Sequence, residues 1–187
     1  MLKIRSSAIL GIAAVSALAA APAAATDDIE VAAQICSACH GEHGEPQDKV
    51  TPIIWGQQQS YGVKQLHDYK SGDRTSPVMS PMAEGIAQED LRKIAAYFAA
   101  KSWPAKPASN APASAPNGIA ICLACHQKNL EGGLSGPRLA GQSYEYLVAS
   151  MRSFADGERT NNSDMPQLMR QLTESEREAI AHYLSAL

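Results

Sequence analysis

The chain has 187 residues, 16 basic and 19 acidic side chains, a formal net charge of −3 and 45% hydrophobic residues. It lacks the basic stripe that a phosphate backbone requires, so nucleic-acid binding is not an expected function. A mildly acidic surface instead suits a protein partner with a basic docking patch.

At the N-terminus, Lys3 and Arg5 precede an alanine-rich apolar run from Ala8 to Ala21, and Ala23-Ala24-Ala25 supplies small residues for cleavage. That is the pattern of a secretory signal peptide over residues 1–25. The run is too short and too alanine-heavy to favour a membrane span. The expected product is exported to the periplasm, with no membrane span after cleavage.

The segment "KSWPAKPASNAPASAP", residues 101–116, holds four prolines among Ala and Ser. It predicts an extended, semi-stiff linker running over the surface. On either side lie a first domain, 26–100, and a second, 117–187, both near the lower size limit for a self-sufficient core. With two Phe and two Trp in the whole chain, neither half can fill its centre with side chains alone. A bound apolar group is expected to help.

The halves repeat each other. His40 maps to His126 at an offset of 86, and "PIIWGQ" from Pro52 maps to "PRLAGQ" from Pro137 at 85. "YGVKQLHDYKSGDRT" from Tyr61 matches "YLVASMRSFADGERT" from Tyr146 at 85, and "DLRKIAAYF" from Asp90 matches "EREAIAHYL" from Glu176 at 86. Each half reads as three helical pieces. The first copy opens with a helix over Asp28–Cys36, whereas the stub "NGIAIC" makes the second opening helix short or missing. Middle helices over Tyr61–Ser71 and Tyr146–Asp156 are closed by Gly72 and Gly157. The last helices carry Leu91, Ile94, Ala95 and Phe98, then Ile180, Ala181 and Leu184, at helical rather than strand spacing. Thr173 and Glu176 form a capping-box pattern. The fold class is all-α.

All four cysteines sit in two C-x-x-C-H motifs, Cys36-Cys39-His40 and Cys122-Cys125-His126. A disulfide framework would need cysteines outside the motifs, and a structural zinc site needs C-x-x-C units roughly 15–20 residues apart. A thioredoxin-like pair needs a βαβ setting. The remaining chemistry is covalent haem c: two thiols on a helical turn add to the vinyl groups of one porphyrin, and the adjacent histidine becomes the proximal iron ligand. Two such motifs in register predict two haem c groups.

Methionine is the natural second ligand in an electron-carrying haem, because a Met/His pair raises the potential. Met79 falls on Met165 at the offset that relates His40 to His126. Met82, Met151 and Met169 align with Leu168, Leu66 and Ala83, which suggests packing. Pro52 and Pro137 recur where a carbonyl could fix the histidine tautomer, although turn prolines read equally well. Arg74 and Arg159 could pair with haem propionates, against a default of solvated arginine. His43, His67 and His182 have no repeated counterparts and read as surface residues. No catalytic residue is expected.

On these motifs, together with "GPRLAGQSYEYL", "TPIIWGQQQSYGV", "GDRT/GERT" and "IAAYF/IAHYL", residues 28–187 resemble a di-haem class I cytochrome c of the cytochrome c4 type. The resemblance implies two tandem cytochrome c domains with their haem edges close, passing single electrons in the periplasm. It implies thioethers at Cys36, Cys39, Cys122 and Cys125, iron ligation by His40, Met79, His126 and Met165, and histidine-orienting carbonyls at Pro52 and Pro137. The function implied is a one-electron carrier in a respiratory chain, meeting a membrane oxidase, a reductase or a periplasmic dehydrogenase. An alternative is the electron-accepting subunit of a flavin- or quinone-dependent dehydrogenase. A di-haem peroxidase-type enzyme fits less well, because it needs an open iron position.

Overall fold

The computed structural model describes residues 27–104 and 114–187, so the expected signal peptide and most of the expected linker lie outside the described residues. Among the described residues there are helices and no strands. The first half comprises α1 (Asp27–His40), α2 (Gln59–Ser71), α3 (Met79–Glu84) and α4 (Leu91–Ala99). The second comprises α5 (Ala120–His126), α6 (Tyr144–Asp156), α7 (Met165–Arg170) and α8 (Glu174–Ser185).

In the first half, α1 packs on α4, and α2 packs on both α3 and α4. In the second half, α6 packs on α7 and α8. Ile94 and Phe98 of α4 meet Ala33 of α1 in a small core. The second core is larger and joins Leu147, Met151 and Phe154 of α6 to Met169, Ile180 and Leu184. Leu91, Ile180 and Leu184 are fully buried, each stabilising the fold by about 1.5–3 kcal/mol.

Gly72 and Gly157 close α2 and α6 in the left-handed conformation, with φ of 86° and 78°. The middle helices begin two residues earlier than the spacing predicts, and α1 extends to His40, placing the whole first C-x-x-C-H on helix. The second opening helix is seven residues against fourteen in the first. Two six-residue helices, α3 and α7, were not foreseen, because a stretch that short carries no readable period. Thr173 and Glu176 make the reciprocal capping box at the start of α8.

The linker departs from its expected surface course at its beginning. The Arg138 guanidinium stacks 4.7 Å from the centre of the Trp103 ring, and Lys101 sits 4.1 Å over the Tyr97 ring. A side chain at Gly56 would come within 2.8 Å of the Trp103 backbone nitrogen, and one at Gly141 within 2.7 Å of Trp103 Nε1. Trp103 is thus seated against loops of both halves. The ring's apolar area gains from that half-burial, against the cost of an Nε1 that is buried without a hydrogen-bond partner.

Candidate functional site

Both motif histidines end a helix and are buried, at 6% exposure for His40 and 7% for His126. The Nδ1 of His40 lies 2.8 Å from the Pro52 carbonyl oxygen, and that of His126 lies 2.8 Å from the Pro137 oxygen. A carbonyl only accepts, so Nδ1 carries the proton and Nε2 keeps its lone pair for a metal. Burial pushes both imidazoles down from their ordinary range, opposed by the proline carbonyl bonds. A neutral ring with a bare Nε2 is the state an iron takes.

The four cysteines are unbridged. Burial pushes the Cys36 and Cys122 thiols up, while Cys39 and Cys125 are exposed. One cavity of about 540 Å³ runs between the halves and is lined by both motifs. Its walls are mostly apolar, with Leu66, Ile94 and Phe98 on one side and Leu147, Phe154 and Ile180 on the other.

Met79 and Met165 are the first residues of α3 and α7, and both border the cavity. The Met79 amide donates to Ser76 Oγ at 3.1 Å and the Met165 amide to Asn162 Oδ1 at 2.8 Å. Those same oxygens accept from Val78 N at 3.3 Å and Asp164 N at 2.9 Å. The repeat therefore includes the turn that sets each methionine. Met82, Met151 and Met169 also touch the cavity. Of these, Met151 and Met169 are buried in the second core, and Met82 is 40% exposed.

The repeated arginines are not solvated: Arg159 is 7% exposed and Arg74 is half-buried. Arg159 donates to Asn161 Oδ1 at 2.9 Å, Ser150 Oγ at 2.6 Å, Tyr61 Oη at 3.1 Å and Gln65 Oε1 at 2.9 Å. Arg74 donates to Gln65 Oε1 at 2.6 Å and Tyr146 Oη at 3.5 Å. Each guanidinium also covers an aromatic ring at matching positions, Tyr69 at 4.6 Å and Phe154 at 4.3 Å. Burial by itself raises the Tyr146 hydroxyl, but the Arg74 and Arg159 charges beside it bring it below its ordinary range. His43, His67 and His182 are exposed.

Sequence reasoning missed four side chains that organise this region: Ser76, Asn162, Gln57 and Gln142. Gln57 and Gln142 each grip the backbone of the other half. Gln142 Oε1 accepts from Ile53 N at 2.9 Å, and its Nε2 donates to Ile53 O at 3.0 Å. Gln57 Oε1 accepts from Arg138 N at 2.8 Å, and its Nε2 donates to Arg138 O at 3.0 Å. The available signal was the polar Gln recurring after Gly in "WGQ" and "AGQ".

The Cytochrome c family model matches residues 120–187. The chain is 32% identical over 170 residues to the cytochrome c4 of Pseudomonas aeruginosa, covering 83% of this chain and 85% of that one. The chain belongs to the cytochrome c4 family. It is also 32% identical over 171 residues to a thiosulfate dehydrogenase electron acceptor of Stutzerimonas stutzeri, covering 82% of this chain and 79% of that protein. Among solved structures, the cytochrome c4 of Acidithiobacillus ferrooxidans superposes with a TM-score of 0.74 at 30% identity, covering 83% of this chain and 99% of that chain.

Like other cytochrome c4 proteins, this chain is an all-α tandem of c-type domains and an electron-carrying cytochrome. It holds two covalently bound haem c groups, and its four cysteines fit two attachment sites. The lining fits such a group on its own terms. The cavity is apolar and reaches both C-x-x-C-H motifs. Its lining includes the buried Arg159, whose direct hydrogen-bond partners are all neutral. The nearest carboxylate the bonding reaches, Asp68, is bonded to Asn161 rather than to the guanidinium. A buried cation with no directly bonded counter-charge is costly, and a carboxylate-bearing group supplies one. No helix among the described residues is long and apolar enough to cross a membrane.

Proposed function

We propose that the protein is a periplasmic one-electron carrier of a respiratory chain, built from a first domain at 26–100 and a second at 117–187 joined through 101–116. In this reading Cys36 and Cys39 hold one haem and Cys122 and Cys125 the other. His40 and Met79 bind the first iron, and His126 and Met165 bind the second. The bound groups supply the one-electron iron couple. Pro52 and Pro137 hold the histidine protons on Nδ1, Ser76 and Asn162 fix the methionine turns, and Arg74 and Arg159 neutralise propionates.

The observation that carries this reading is the matched pair of histidine–proline contacts at 2.8 Å, at one apolar cavity whose lining also includes the repeated methionines Met79 and Met165. Sites closed on both sides by His and Met leave no iron position for substrate, which favours a carrier over an enzyme. The leader pattern of Lys3, Arg5 and Ala8–Ala25 supports export. In the test, purified protein should take up two electrons per chain reversibly. It should then be reoxidised by host membranes, without peroxide turnover. Rapid peroxide turnover by unmodified protein contradicts this reading.

A second reading rests on the similarity to thiosulfate dehydrogenase electron acceptors. Here the chain accepts electrons from a periplasmic dehydrogenase, and co-purification with a catalytic subunit from the host separates this from the free carrier.

A further inference from the structure

We propose that Gln142 and Gln57 are positioning residues for the axial histidine of the opposite domain, so that each domain sets the potential of the other's haem. The proposal rests on the reading of His40 and His126 as iron ligands.

Ile53 directly follows Pro52, and Arg138 directly follows Pro137. The Pro52 carbonyl that accepts from His40 and the Ile53 N–H that donates to Gln142 therefore belong to one planar peptide unit. No peptide bond among the described residues is cis, so the N–H and C=O of that unit point in opposite directions. The result is a continuous chain of hydrogen bonds: His40 Nδ1–H to the Pro52 oxygen, through the peptide plane, and from Ile53 N–H to Gln142 Oε1. The same chain runs from His126 through Pro137 and Arg138 to Gln57.

Hydrogen bonds in series polarise one another. An acceptor on the amide hydrogen makes the carbonyl oxygen more negative, which strengthens its pull on the imidazole proton. A stronger pull raises the basicity of the ligating nitrogen, and a more basic ligand favours the oxidised iron. The glutamines are held to do this: Gln142 is 3% exposed and Gln57 8%. Their Oε1 atoms also accept from Ser143 N at 2.8 Å and Gln58 N at 2.9 Å, fixing each amide's orientation. Because Gln142 and Gln57 each bond the peptide unit of the half that does not contain it, the effect crosses the interface.

The test uses holo-protein with Gln142→Met and Gln57→Met, which preserve length and bulk while removing the hydrogen bonds. Spectroelectrochemical titration reads both potentials, and the haems are told apart by NMR resonances of the ligand methionine methyls. Gln142→Met is expected to raise the potential of the first haem and leave the second, and Gln57→Met the reverse. Solution scattering reports whether the halves stay docked. A shift confined to the variant's own half, an equal shift of both haems, or unchanged potentials in a docked protein overturns the proposal. If a variant undocks, Gln142→Glu, which retains the acceptor oxygen but loses the donor to Ile53 O, decides. The carboxylate is a stronger acceptor than the amide, so a fall in the first haem's potential clearly larger than that in the second supports the acceptor chain, and an equal shift of both haems or a rise in the first overturns it. Loss of low-spin spectra one haem at a time in His40→Ala and His126→Ala checks the ligand reading separately.

Discussion

Arg159 donates to the Tyr61 hydroxyl at 3.1 Å, and the mirrored pair, Arg74 and Tyr146, meets at 3.5 Å. Tyr61 aligns with Tyr146 and Arg74 with Arg159, so the duplicated domains present the same residues to each other. With the glutamine clasps, this makes an interface of buried and part-buried hydrogen bonds. Among the described residues, the ion pair between the halves, Lys49 with Glu145 at 3.6 Å, is largely exposed and contributes little. Docking should therefore resist screening. Solution scattering is expected to give one compact particle at low and high salt alike, and an extended profile at high salt contradicts the interface.

Arg159 also sets an electrostatic expectation. A guanidinium in a water-poor cavity favours the reduced iron, whose site carries one positive charge less. Arg159→Met should lower the haem potentials, most for the haem whose propionates it contacts. Potentials that rise or stay fixed in a folded variant would remove Arg159 from that role.

Trp103 gives a stability test. Its ring lies against Arg138 and the Gly56 and Gly141 loops, and a half-buried indole should cost about 1–2 kcal/mol on truncation. Trp103→Ala is expected to lower the denaturation midpoint by a matching amount without changing the visible spectrum of either haem. Unchanged stability would mean that the start of the linker does not anchor the halves.

The capping box of α8 carries a pH dependence. The Thr173 amide and hydroxyl hold the Glu176 carboxyl below its usual range. A carboxyl depressed in the folded state contributes stability above its unfolded value, and that contribution is lost as pH falls through the folded value. Glu176→Gln should therefore flatten the acid-side decline in thermal stability. Thr173→Ala should cost about 1 kcal/mol at neutral pH. An unchanged acid limb in Glu176→Gln contradicts the assignment.

Legibility in the sequence followed the range of each interaction. Covalent haem attachment needs neighbouring residues, so C-x-x-C-H could be read directly, and duplication then singles out Met79 and Met165 as the methionines proposed to bind iron. The middle and last helices showed their period, whereas α3 and α7 were too short to show one. The clasps were hidden because Gln57 and Gln142 act at separations of 81 and 89 residues, where a lone glutamine gives no sign of its partner. Arg74 and Arg159 looked like solvated charges for the same reason: the aromatic and polar groups that bury them come partly from the other half. Trp103 sits at the start of a segment whose Pro- and Ala-rich composition signals a surface path, and composition carries no sign that this one indole packs against both halves.

The central claim, two irons each closed by histidine and methionine, is tested most directly by the near-infrared sulfur-to-iron charge-transfer band of the oxidised protein. The band should be present, fall by about half in Met79→Ala and in Met165→Ala, and be unaffected by Met82→Ala, as expected for one transition per methionine-ligated haem. Absence of the band from the unmodified protein, or its loss in Met82→Ala with retention in Met79→Ala, would contradict the account.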